Sequence, residues 1–164
     1  MGSGTVAALM LALMLAVPAG ASDSVERTPI EVRTVQDLRF GQLAQASAAP
    51  GMVRIDPRTG ERQLSGEVYG LGGDYGFAEF ELLGEPGAKY QIVLPSRLHL
   101  GGGRTIVDLV AHPGLTGTFE INGRATVQVG GTLELAPVIE SGHHDALFTV
   151  CVEYLWPTVG AQDL

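Results

Sequence analysis

With Cys151 the only cysteine in 164 residues, the chain has no intrachain disulfide to make, and packing alone must hold its fold. Lysine is as scarce. Lys89 stands alone, and the nine arginines are scattered singly through a chain of net charge −8. No basic face therefore exists to release counterions from phosphates, which excludes nucleic acid and anionic lipid as partners. The acidic balance serves solubility. Beyond residue 21 no segment repeats its apolar residues at the helical period. The G-x-S-x-G nucleophile elbow is missing. Gly70-Leu71-Gly72-Gly73 lacks both the dinucleotide register and a following helix, so it is no phosphate cradle. No cofactor is expected.

The chain opens on an uninterrupted apolar run from Val6 to Val17, followed by Pro18 and then Ala19-Gly20-Ala21. A run of that length closed by small residues reads as an export signal over residues 1–21. It is shorter than the roughly 20 apolar residues a transmembrane helix needs. No Lys or Arg precedes it, so either the amine of Met1 supplies the positive charge alone or the true start lies upstream. Cleavage after Ala21 leaves a chain from Ser22 to Leu164 with no integral membrane segment. That is a single domain, with a loosely ordered tail over 155–164.

Twenty-three glycines and nine prolines punctuate short segments rich in Val, Ile, Thr, Phe and Tyr, the pattern of an all-β domain. Alternation assigns faces. Ala78, Phe80 and Leu82 oppose Glu79 and Glu81; Tyr90, Ile92 and Leu94 oppose Lys89, Gln91 and Val93; Ala125, Val127 and Val129 oppose Arg124, Thr126 and Gln128. The spacing predicts a strand over Thr116 to Ile121, with Phe119 and Ile121 inward, joined to Arg124 by a type I′ hairpin turn at Asn122-Gly123. Asp56-Pro57-Arg58-Thr59-Gly60 predicts a second hairpin between Met52 to Ile55 and Arg62 to Tyr69. Further strands are expected at Ile30 to Val35, Leu38 to Phe40, Thr105 to His112, Leu133 to Leu135 and Ala146 to Tyr154. The runs Gly70 to Gly73 and Gly101 to Gly103 read as loops or crossings, and Gly130-Gly131 as a bulge. Two packed antiparallel sheets are the expected architecture.

Few residues offer chemistry. His143-His144-Asp145, with His112 or His99 alongside, is the one candidate metal cluster. Adjacent histidines on an extended chain point to opposite sides, and Ser141-Gly142 marks a turn, so an exposed loop is the simpler reading. Ser141, His143 and Asp145 supply the side-chain types of a hydrolytic triad, but such a triad is assembled from separate segments. Glu79 and Glu81 share a strand face about 6.5–7 Å apart, the separation of an inverting glycosidase pair. Their outward face leaves both solvated. Cys151 faces away from Phe148, Val150, Val152 and Tyr154, either as a quiet, partly covered thiol or as one half of an intermolecular disulfide.

Several segments, in this order, resemble the bacterial family of exported proteins known as DUF4402. They are Thr34 to Gly41, Val53 to Gly60, Pro86 to Pro95, Val129 to Leu133 and Leu147 to Tyr154. The resemblance implies an immunoglobulin-like β-sandwich exported to the periplasm or cell surface of a Gram-negative bacterium, similar to subunits of chaperone–usher fimbriae. It carries no catalytic residues. A periplasmic chaperone, an outer-membrane usher and self-association are the partners it implies. In that mode of assembly an extended segment from a neighbour adds a strand to an incomplete sheet, its alternate side chains entering pockets. Ile30 and Val32 alternate suitably for such an interface, and Phe148, Val150, Val152 and Tyr154 are placed to border it. Ser22 to Thr28 is too short and polar for a donor arm. The expected function is a non-enzymatic fimbrial or surface subunit. A ligand-binding module, perhaps for carbohydrate, rimmed by the glycine-rich loops is the alternative, and a small hydrolase built on the His143 region a third reading.

Overall fold

The computed structural model describes residues 27–46, 48–144 and 147–156; the segment expected as an export signal and the chain beyond 156 lie outside them. The described residues form twelve β-strands and no helix. In chain order these are β1 (Glu31–Gln36), β2 (Arg39–Gln45), β3 (Gly51–Ile55), β4 (Arg62–Gly66), β5 (Val68–Gly76) and β6 (Ala78–Leu83). There follow β7 (Lys89–Val93), β8 (Arg97–Gly101), β9 (Arg104–His112), β10 (Thr116–Thr118), β11 (Arg124–Leu135) and β12 (Cys151–Tyr154). All ladders between them are antiparallel.

The spine is β11, whose alternation buries Ala125, Val127, Val129, Leu133 and Leu135 on one face. Gln128 and Val129 pair with both β6 and β9, so those two strands occupy opposite edges of the spine. On the β6 edge, β3 takes over from Gly131 onward, so β6 and β3 meet the spine end to end. Gly130 stands at the junction. A Cβ there would overlap the Ile55 carbonyl oxygen and lie 2.8 Å from Pro57, so only glycine lets the end of β3 and its turn lie against the spine. With β1 beyond β6, β4 beyond β3 and β8 beyond β9, the layer is a seven-stranded sheet.

The opposing layer comes in two pieces, which refines the expectation of two sheets. The three-stranded sheet β10-β7-β12 covers one half of the spine's apolar face, enclosing Phe80, Leu82, Tyr90, Ile92, Phe119 and Val127. The ribbon β2-β5 covers the other half, over Val53, Val68, Ile106, Leu133 and Leu135. The division originates at Gly66-Glu67. Arg62 to Tyr69, expected as one strand, breaks there because Gly66 turns at φ 80 and Glu67 bends, releasing β5 from the large sheet. Gly70 to Gly73, expected as a loop, consequently lies inside β5.

Several other expectations are corrected. The chain does reverse at Asn122-Gly123, but Gly123 alone has positive φ, at 74. Glu120 and Arg124 bracket a three-residue loop closed by Gly123 N–H to Glu120 C=O (2.9 Å), a type I turn ending in a left-handed glycine. The two arms part at once, since β10 pairs with β7 while β11 runs down the spine. Phe119 is buried as expected, whereas Ile121 sits on the turn, 94% exposed. The extra residue expected at Gly130-Gly131 belongs to β9 instead, at Asp108, whose φ is 50. Gly102 and Gly103 form the turn from an unexpected β8 into β9. The last strand begins only at Cys151, because its register would set Thr149 opposite Pro95, which has no N–H to give.

The hairpin at Asp56 forms as predicted. Asp56 Oδ1 accepts the amides of Arg58 (2.7 Å) and Thr59 (3.1 Å), and Gly60 exits at φ 72.

Candidate functional site

Five of the six residues singled out for strand addition pack on one core cluster. Ile30, Phe148, Val150, Val152 and Tyr154 pack on the core cluster between β6 and β7. Val32 is not part of that cluster and is 37% exposed. Tyr154 fixes one end of this group. Its hydroxyl accepts the Glu85 amide (2.9 Å) and donates to the Thr28 carbonyl (2.8 Å), while Glu85 Oε1 accepts the Thr28 amide (3.0 Å). Its ring meets Phe119 at 5.9 Å, and the Arg27 guanidinium lies 5.5 Å over it and 4.4 Å over Trp156. Phe148 fixes the other end, edge-on to Phe80 at 6.2 Å.

The hydrogen-bonding direction of β12 follows from one bond. The Leu155 amide donates to the Lys89 carbonyl (2.9 Å). Antiparallel alternation then turns the backbone groups of Cys151, Glu153 and Leu155 toward β7, and those of Val152 and Tyr154 away from it. Among the described residues β7 is the one strand laddered to β12. Its other edge therefore presents backbone donors and acceptors above inward-pointing apolar side chains, which is what an added strand recognises.

Past Phe148 lies a cleft of about 1050 Å³ between the β2-β5 ribbon, the large sheet and the segment from Ile139 to Phe148. Its floor is Ala78, Phe80, Ile106, Leu133 and Leu135 from the large sheet; Leu38, Phe40 and Leu43 wall one side and Leu147 and Phe148 another. Sequence reasoning missed the cleft because it depends on β5 leaving the large sheet. The local signal was Gly41 and Gly70, where an added Cβ would strike the Arg62 guanidinium. That group crosses the ribbon there, donates to the Phe40 carbonyl (3.1 Å) and lies 4.3 Å over the Tyr75 ring.

His143 and His144 stand at the rim of this cleft. His143 is exposed; His144 is half-buried, and its Nε2 is shielded from water without a hydrogen-bond partner. Asp145 lies outside the described residues, so neither the triad nor the full metal cluster can be drawn. Among the described residues no three His, Cys, Asp or Glu side chains group as metal ligands. Glu81 pairs with Arg124, and Glu79 accepts from Gln128 Nε2 (3.4 Å), so each carboxylate has a local partner on the outer face. Cys151 is exposed on the outward face of β12 and not partly covered. A second, shallower groove of about 650 Å³ is rimmed by Gly51, Gly66, Gly101 and Gly103 and bears His99, Thr105 and Glu134.

No helix among the described residues is long and apolar enough to cross a membrane. No match to the chain is found among curated proteins or among solved structures. A family model does match, over residues 30–154, which span all twelve strands. The chain belongs to the family described as Domain of unknown function (DUF4402).

Proposed function

We propose that this chain is an exported, non-enzymatic structural subunit, fimbrial or otherwise at the surface of a Gram-negative cell, that associates by β-strand addition along the open edge of β12. The observation that carries the reading is the outward backbone of Val152 and Tyr154 set over Ile30, Phe148 and Val150. The leader and the likeness to fimbrial subunits support export and a periplasmic chaperone and usher as partners. The test is amide hydrogen exchange on the protein lacking residues 1–21, with and without a synthetic peptide of about ten residues alternating Val and Thr, the length of a long strand. Protection of the Val152 and Tyr154 amides is the expected result; exchange at unchanged rates overturns the reading.

The second reading, a carbohydrate-binding module, is favoured by the glycine-rimmed groove around His99, Thr105 and Glu134. Binding on a glycan array that is abolished by Glu134→Ala would support it over strand addition.

A further inference from the structure

We infer that this chain accepts a strand from a different protein and has none to give at its own N-terminus. The inference rests on the strand-addition reading above. The apolar alternation that begins at Ile30 is already used within the chain, since Glu31 to Gln36 ladder along β6 from Glu31↔Leu83 to Gln36↔Glu79. The residues just before it are pinned as well. Thr28 is held through both its amide and its carbonyl by Glu85 and Tyr154, and Arg27 is stacked over Trp156.

With cleavage after Ala21, only Ser22 to Glu26 remain ahead of this anchor. Fully extended they reach about 17 Å at 3.3–3.6 Å per residue. Val25 is the one apolar side chain among them, flanked by Asp23, Ser24 and Glu26. Such an arm cannot set alternate apolar side chains along a neighbour's β12. The receiving side is the opposite in character. It is apolar from Ile30 to Phe148 and continues into the cleft floored by Ala78 and Phe80.

The occupant is therefore an extended segment of another protein, long enough to pass Phe148, with apolar residues at alternate positions. Its outward side chains would lie beside Cys151 and Glu153, so a basic residue next to Glu153 suits it. The pins on Arg27 and Thr28 leave a second copy of this chain no free apolar alternation to donate from its N-terminus.

The experiment compares two versions of the protein lacking residues 1–21, both carrying Cys151→Ser so that disulfides cannot cross-link them. One keeps its own N-terminus; the other has an alternating Val/Thr segment of about ten residues, with one Arg, fused ahead of Ser22. Sedimentation should show the first as a monomer at high concentration and the second as a ladder of oligomers dissolved by excess free segment. A fused arm that folds back on its own β12 gives a monomer with Val152 and Tyr154 amides protected, which supports the inference equally. A ladder from the first version overturns the inference and leaves strand addition standing. No ladder and no amide protection in the second version removes both.

Discussion

At the scale of single residues, side chains close turns and clasp termini where few large apolar contacts are available. Asp56 is the plainest case. The amides of Arg58 and Thr59 bond its carboxylate and hold its pKa below the usual carboxylate range, so the folded state keeps the group ionised where the unfolded chain has begun to take up a proton. A depressed folded pKa contributes stability that is complete above the unfolded value, about 3.9, and fades as pH falls through the folded one. Asp56→Asn keeps an acceptor oxygen but loses the charge. Its urea midpoint should fall below that of the parent near neutral pH, with the gap closing below about pH 4. A gap independent of pH would show that the amides do not favour the ionised form. Tyr154 acts in the same manner, since one hydroxyl joins the β6–β7 turn, the approach to β1 and the end of β12.

At the scale of elements, what matters about β12 is the direction in which each backbone group points. The Val152 amide faces the open edge and the Glu153 amide faces β7. Proline removes one N–H and is tolerated at a strand edge but not in a ladder. Val152→Pro should therefore keep the β7 ladder, lower the melting temperature only through the lost packing of Val152, and lose binding of the alternating peptide. Glu153→Pro should lower the melting temperature and open the β7 ladder. Circular dichroism melts and amide exchange distinguish the two, and equal damage from both would mean the assigned direction is wrong. The Asn122-Gly123 turn teaches a related lesson. Local sequence announced a reversal, and the reversal is there, but the burial of Phe119 between Tyr90 at 4.9 Å and Tyr154 draws its incoming arm into another sheet. A turn signal specifies a change of direction; it does not specify which strand the chain pairs with afterwards.

At the scale of the whole molecule, two half-cores share one long spine, and Gly130 lets the end of β3 and its turn lie against that spine. Any Cβ at that point would press on the Ile55 carbonyl oxygen and Pro57, backbone and ring atoms that cannot swing aside. Gly130→Ala should cost about 1–3 kcal/mol, as overpacking of a filled site does. Urea denaturation followed by fluorescence of Trp156 and the tyrosines would read this as a lower midpoint. A change within about 0.5 kcal/mol, the usual range for an unremarkable surface site, would mean that Ile55 and Pro57 do not press on the spine there. The cleft belongs to the half covered by the ribbon, where β2, the large sheet and the approach to β12 leave a gap over Ala78, Phe80, Leu133 and Leu135.

Much of this was legible in the order of residues. Period-two alternation in Ala78 to Leu83, Lys89 to Val93 and Arg124 to Val129 settled which side chains are buried, because in a pleated strand the choice of face is local. The absence of helical periodicity fixed an all-β fold, and Asp56 to Gly60 fixed a hairpin through its own hydrogen bonds. Which edge each strand joins was not legible. Backbone N–H and C=O groups are the same in every residue but proline, so pairing is decided chiefly by the burial that a whole arrangement achieves. The break at Gly66, the split covering layer, the cleft and the open side of β12 all belong to that second kind of information and appear only in the folded chain.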